Sequence, residues 1–307
     1  LKYSQLLFMI DMKRIALILA VALSSAACFA QVTKSEMKQL QSFLSQPSEK
    51  GETNAQALKI TNVNDPSTWE GVTVVGKNVT SIDWKGKKLA GALDLSGFKA
   101  LTKVDVSRNA ITSLTVSGDN ALVEVNASRN KLQTVDFTGC ASLSKVSINN
   151  NRLTEFSIEN VPMIKTLNVS SNLLAALDLQ ASPTLETLNC QGNHLESLSV
   201  TDCTALKNLY CGYNKLTAIN LFGTSNLQNL NVDSNQIGNM IISGLPSLSS
   251  FLCTDNNMKT LALRECQNLL DIVCSYNNLT SFGVSNCPNI VFVDCSYNDL
   301  TTLTLAN

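Results

Sequence analysis

The sequence predicts an α/β repeat solenoid, in which thin coils stack along one axis behind a helical amino-terminal cap. Three observations carry that prediction. Asn109, Asn130, Asn151, Asn172, Asn193, Asn214, Asn235, Asn256, Asn277 and Asn298 recur every 21 residues, and self-similarity at such a period marks stacked supersecondary units. Apolar residues hold fixed offsets from these asparagines, so that each coil follows the pattern LxxLxVxxNxLxxLxVxxxxx. Ahead of the repeats, Met37, Leu40, Phe43 and Leu44 give one apolar face at helical spacing.

Taken in order, the chain opens on a targeting segment. Lys13 and Arg14 form a basic region, Ile15 to Leu23 an apolar run, and small residues lead to a cleavage site at Ala30-Gln31. Residues 1–30 are therefore expected to be a signal peptide, with Met12 as its start and residues 1–11 adding nothing it needs. The apolar run is too short for a membrane anchor. Ser25-Ala26-Ala27-Cys28 offers a second route, lipidation of Cys28, although Ser stands where a lipobox carries Leu. Export, to the cell surface, the periplasm or the medium, is the preferred reading. Residues 31–78 are expected to form the cap: a helix started by Ser35, broken at Pro47-Ser48-Glu49-Lys50-Gly51, then a second helical piece over Asn54 to Ile60. The end coil of a solenoid exposes core and needs such a cover.

Residues 79–307 are the solenoid, one degenerate coil and ten regular ones. Alternation at LxV puts two apolar side chains on one face of a short strand and polar ones on the other. A coil this thin cannot bury its apolar face alone and must stack on its neighbours. The recurring Asn stands where the chain turns away from the strand, and a buried turn leaves N–H and C=O groups without partners at a cost. A carboxamide both donates and accepts, so a ladder of them can satisfy both groups, which Asp or Leu could not. Ten coils about 4.8 Å apart predict a stack about 45–50 Å long.

These residues resemble the leucine-rich repeat family, whose signature LxxLxLxxNxL is reproduced by Leu185-Glu186-Thr187-Leu188-Asn189-Cys190-Gln191-Gly192-Asn193-His194-Leu195. The 21-residue unit with its Leu-Thr-x-Leu-x-Val second half is similar to secreted leucine-rich repeat proteins of Bacteroidetes-type bacteria, with internalins more distant. The resemblance implies a right-handed solenoid, a parallel sheet on the concave face, a mostly extended convex side and a binding role. Upstream, Asp65-Pro66-Ser67-Thr68-Trp69-Glu70-Gly71-Val72, then Val79 to Trp84 and Leu89-Ala90-Gly91, resembles the entry segment of plant-type leucine-rich repeat domains, here without paired cysteines. Ile82, Trp84, Leu89, Leu93 and Leu95 complete the degenerate coil, with Lys87 in the Asn place and one extra residue near Gly91.

Composition narrows the function. The 307 residues are 44% hydrophobic with a net charge of −1, which suits one elongated domain and offers nucleic acid no basic face. Ten cysteines in an exported chain would suggest disulfides. Their positions argue otherwise. Cys190, Cys211, Cys253, Cys274 and Cys295 stand three residues before the Asn, and Cys140, Cys203, Cys266 and Cys287 ten after it. Both sets read as columns of small core residues, and without a Cys-x-x-Cys pair no zinc site is expected. The single histidine, His194, has no partner for a triad or a metal site. The chain is not expected to be an enzyme or to hold a cofactor.

Binding has candidates. The outward positions lie six, four and two before each Asn, with the residue just before it at the strand's edge. In the first coils they include Arg108 and Arg129, in the middle amides such as Asn168 and Asn189, and towards the end Tyr210, Tyr213, Leu252, Val273, Tyr276, Phe292, Asp294 and Tyr297. A contiguous aromatic and apolar patch marks an interaction surface, and it would equally pad the last coil. The function expected is an exported, non-enzymatic protein-binding or adhesion module using the concave face. Its partner would be a host or envelope protein, with glycan the lesser candidate. The alternative is a structural component of the cell envelope, self-associating as a homodimer through an uncapped carboxy-terminal coil.

Overall fold

The computed structural model describes residues 32–159, 161–180 and 182–306, so the expected signal peptide, its start and Cys28 lie outside the described residues. Helix α1 spans Lys34–Leu44 and α2 spans Asn54–Ala57, followed by a single 3-10 turn at Pro66–Thr68. The strands then follow in order. The first seven are β1 (Val72–Val75), β2 (Asn78–Asp83), β3 (Ala90–Asp94), β4 (Lys103–Asp105), β5 (Ala110–Thr115), β6 (Glu124–Asn126) and β7 (Thr134–Asp136). Next come β8 (Lys145–Ser147), β9 (Thr166–Asn168), β10 (Ala176–Asp178), β11 (Thr187–Asn189), β12 (Ser197–Ser199), β13 (Asn208–Tyr210) and β14 (Asn229–Asn231). The last seven are β15 (Asn239–Ser243), β16 (Ser250–Leu252), β17 (Thr260–Arg264), β18 (Asp271–Val273), β19 (Ser281–Ser285), β20 (Phe292–Asp294) and β21 (Thr302–Ala306).

Two sides of the solenoid emerge from this order. One is a twelve-stranded sheet, β1-β2-β4-β6-β8-β9-β11-β13-β14-β16-β18-β20. Only its first pair is antiparallel; beyond β2 every strand is parallel to the last and, from β4 on, offset by one coil, Leu188 lying opposite Leu209. The return side carries three smaller parallel sheets, β3-β5-β7, β10-β12 and β15-β17-β19-β21. The extra residue of the degenerate coil shows as a break in register between Gly91 and Ala92. Among the described residues helix is confined to the amino-terminal segment, so the solenoid is a β-solenoid where an α/β one was expected. The reason is the return segment's period-2 pattern: in β17, Leu261 and Leu263 point in and their neighbours out, which is the alternation of a strand.

The asparagine ladder does what the turn requires. Asn193 Nδ2 donates to the carbonyls of Cys190 (3.0 Å) in its own coil and Val169 (3.1 Å) in the coil before, while its Oδ1 accepts from Leu174 N–H (3.1 Å). The same three bonds recur from Asn109, where they reach Trp84 O, Val106 O and Leu89 N, to Asn298. Each carbonyl three residues before an Asn therefore receives two amides, its own and the next coil's, except Cys295 O in the last coil, which receives that of Asn298. The nine described cysteines are free and all but Cys295 are buried. Burial pushes several of these thiols up, Cys211 and Cys274 to about 12 and Cys140 and Cys266 to about 11. Several also donate to a carbonyl, as Cys203 Sγ does to Leu179 O (3.1 Å), which Val or Ala could not do.

The amino-terminal segment departs from expectation in its details. Thr33, rather than Ser35, caps α1, its hydroxyl accepting from Glu36 N–H; Ser35 lies inside the helix. Helix α2 is shorter than expected because Lys59 turns left-handed (φ 60°) behind a capping box at Thr53. Leu40, Phe43 and Leu44 are fully buried, and Phe43 stacks on Trp84 at 5.6 Å between ring centres. Each such side chain contributes about 1.5–3 kcal/mol of gross burial. The free edge of β3 is met by side-chain amides: Gln46 both donates to Ala92 O and accepts from Ala92 N–H (2.9 Å each), and Asn54 does likewise at Ala90. Gly91 sits beneath this contact at φ +93°, and a Cβ there would overlap Gln46 Oε1.

Candidate binding face

From β4 on, each strand of the large sheet is three residues long, with its middle residue buried, or half-buried at Val293 of β20, and the flanking two turned outward. The row four before each Asn runs unbroken across the sheet, Tyr210, Asn231, Leu252, Val273 and Asp294 lying opposite one another in turn. In the row six before, Asp271 faces Phe292.

The residue just before each ladder Asn adopts a left-handed conformation in all ten coils. Arg108 (φ 60°), Arg129 (57°), Tyr213 (56°), Tyr276 (54°) and Tyr297 (52°) are among them, and Gly192 is the one glycine. That turn lets the residue's N–H reach the following coil, Tyr213 N donating to Asp233 O (2.8 Å) and Tyr276 N to Ser296 O (3.1 Å). It also swings the side chain onto the rim of the sheet. L-residues pay sterically for such a conformation, β-branched ones most, and the column contains no Val, Ile or Thr. The residues two before the Asn, expected to face outward, are mixed: Ser296 is exposed and Ser128, Ser170 and Thr254 are half-buried, whereas Ser107 and Ser275 are buried, Ser107 Oγ donating back to Asp105 Oδ1 (2.6 Å).

The ten candidate residues do not converge on one site. Arg108 and Arg129 stand on the first two regular coils, and Arg129 is seven coils, about 34 Å at ordinary strand spacing, from Tyr276. Tyr210 and Tyr213 share the sixth coil. A compact group remains at the far end, formed by Leu252, Val273, Tyr276, Phe292, Asp294 and Tyr297. Tyr276 and Tyr297 stack with centres 4.3 Å apart and planes 13° from parallel. They are 55% and 70% exposed, and Phe292 is 51%. Leu252 and Val273 are half-buried between neighbouring strands. Asp294 accepts from Ser296, whose hydroxyl and N–H hold its carboxyl below the usual carboxylate range. Sequence reasoning passed over Leu270 and Val291, exposed beside Phe292 one position further along; their offset, seven before the Asn, was the available signal.

The amino-terminal strands differ in chemistry. Glu124 is held between Lys145 (3.0 Å) and Lys103 (3.4 Å), which lower its pKa. His194 is exposed. On the return side, cavities of about 490 and 290 Å³ open where the small sheets are interrupted, between β7 and β10 and between β12 and β15. No group of three metal-ligating side chains occurs among the described residues, and none of their helices is long and apolar enough to cross a membrane.

No protein-family model and no curated protein matches the sequence. Solved structures do. YopM, a leucine-rich effector protein from Yersinia pestis, is similar with a TM-score of 0.59 and 22% identity, over 73% of this chain and 68% of that one. The PEPR1-AtPEP1 structure matches 90% of this chain and 45% of its own, at a TM-score of 0.56 and 18% identity. The functional domain of InlJ from Listeria monocytogenes, which includes a cysteine ladder, matches at 0.47 and 21% over 73% of this chain. The chain spans 64% of the length of that domain. At these identities the likeness to the YopM and PEPR1-AtPEP1 structures shows the fold alone, a solenoid of the leucine-rich repeat type.

Proposed function

We propose that the chain is an exported, non-enzymatic module that holds a polypeptide partner against the outer face of its twelve-stranded sheet, the side expected to be concave. One observation carries this reading. The inward columns of the coil scarcely vary, whereas the outward ones change character from one end of the sheet to the other, ending in exposed Tyr276, Phe292 and Tyr297. A sheet face that needed only solubility would gain nothing from exposed aromatic side chains, which are enriched where proteins meet. The leucine-rich repeat fold is in keeping with this role without assigning a partner.

The test places a photo-cross-linking residue at Asn189, on the sheet face, or at Asp178, on the return side, and exposes each protein to envelope and host-cell fractions. A discrete polypeptide captured from Asn189 and absent from Asp178 is the expected result. Capture from Asp178 alone would move the site to the return side and refute the proposal. A second reading, self-association as an envelope component, is favoured by Val291, 81% exposed beside Phe292 on β20. Light scattering over a wide concentration range, with Phe292→Asp as the comparison, separates the two. A dimer lost in the variant supports self-association, and a monomer throughout leaves the face free for a foreign chain.

A further inference from the structure

We infer that the last four strands of the large sheet, β14, β16, β18 and β20, form a subsite for a cationic stretch of the partner polypeptide, an extended segment bearing Arg or Lys. The inference rests on the reading that this face binds protein and narrows it to one partner chemistry. Between residue 216 and the end of the sequence there are two basic residues, Lys259 and Arg264. Arg264 lies in β17 and Lys259 immediately precedes it, so both belong to the return side. The sheet face of β14, β16, β18 and β20 consequently carries no cation.

Carboxylates are present there. Asp271 and Asp294 stand on the strands and Asp255 on the rim. Among the described residues none of the three makes a salt bridge, in contrast to Glu124 at the other end, which is held by two lysines. Asp294 and Tyr297 share a coil, and Asp255 is in the coil next to Tyr276. The stacked tyrosines thus offer a π surface flanked by uncompensated negative charge. A guanidinium or ammonium over such a ring is attracted by its quadrupole, and a nearby carboxylate adds a charge-assisted hydrogen bond. An acidic partner would meet repulsion at the same place. Four strands about 4.8 Å apart span about 14 Å, the length of about four extended residues, which a hexapeptide covers.

The test measures binding of the full chain to two fluorescent hexapeptides, one alternating Ser with Arg and one with citrulline in place of Arg, by anisotropy at low and physiological salt. The Arg probe is expected to bind at least about tenfold more tightly, citrulline keeping the shape without the charge. Tyr276→Leu combined with Tyr297→Leu retains apolar bulk and removes the π faces, and should weaken the Arg probe by about three- to tenfold. Asp255→Asn combined with Asp294→Asn should flatten its salt dependence. Glu196→Gln on the return side should leave binding unchanged. Equal binding of the two probes would overturn the cationic subsite while leaving the protein-binding reading intact. So would no binding of either probe when Asn189 still captures a polypeptide. If Asn189 captures nothing as well, both readings fall. A homodimer abolished by Phe292→Asp would place a second copy on the patch and also overturn the inference.

Discussion

Replacing one central rung of the asparagine ladder tests the reasoning behind the fold most directly. Asn193→Ala removes three hydrogen bonds, to Cys190 O, Val169 O and Leu174 N, from a side chain only 5% exposed. The carbonyls are not orphaned: Val169 O keeps the amide of Asn172 (3.0 Å) and Cys190 O that of Asn214 (3.1 Å). Leu174 N–H alone loses its only partner. Two redundant bonds at about 1 kcal/mol or less each, and one stranded N–H at about 1–3 kcal/mol, put the loss at about 3 kcal/mol. Urea unfolding followed by circular dichroism measures it, and hydrogen exchange should show the Leu174 amide selectively deprotected. The double variant Asn172→Ala, Asn193→Ala strips both donors from Val169 O, so its loss should exceed the sum of the singles by about 1–3 kcal/mol. Asn193→Asp should be worse than Asn193→Ala at neutral pH, because a carboxylate would face two carbonyl oxygens and donate to neither. A single variant within about 0.5 kcal/mol of wild type, or strict additivity in the double, would refute the shared-carbonyl account.

Three further outcomes are expected. Asp119 is fully buried, its Oδ2 without a partner, and burial, with the Glu36 carboxylate adding, raises its pKa from 3.8 to about 7. The folded state thus holds this proton more tightly than the unfolded one, so stability should fall as pH rises from about 4 to about 7, by up to about 4 kcal/mol. Asp119→Asn should remove most of that slope in pH-dependent urea titrations and leave the part due to Glu36, whose pKa burial also raises. Ser171 has φ 53° on the rim; Ser171→Val should cost about 1–2 kcal/mol more than Ser171→Gly, read as a difference in unfolding midpoints. Thiol reagents should leave Cys211, Cys253 and Cys274 unmodified in the native state at mildly alkaline pH, because burial raises their thiol pKa values and leaves almost no thiolate, with half-buried Cys295 reacting first. Rapid modification of Cys211 without unfolding would contradict its burial.

Sequence periodicity made the coil legible because every structural position is sampled ten times. An Asn that recurs without exception states a need for a side chain that both donates and accepts, and the ladder bonds meet it. The cysteine columns were legible for the same reason, since a thiol that alternates with Val and Ala is filling a small buried volume. The amino-terminal segment has no such redundancy. Nothing in Gln46 or Asn54 distinguishes a surface amide from one paired with a strand edge at Ala92 and Ala90. The left-handed rim lay between these cases: its trace was the lack of β-branched residues in one column, a negative pattern that hydrophobic periodicity does not register.

The binding face follows from the same logic inverted. Positions that stacking requires repeat from coil to coil, so positions that change along the solenoid are those stacking leaves free. Lys103, Asn168, Asn189, Leu252 and Phe292 all occupy outward strand positions. Nothing in the stacking of the coils explains why the first should be charged and the last aromatic. Recognition on such a surface is written once per residue, at one height along the axis, and its meaning depends on which neighbours the register brings beside it. Tyr276 and Tyr297 are informative as a pair because the register of β18 and β20 aligns them. Arg108 and Arg129, on the first two regular coils, are too distant to share a small ligand with them. A partner that engaged both ends would have to run the length of the sheet, with its own charges ordered from acidic to basic along that path.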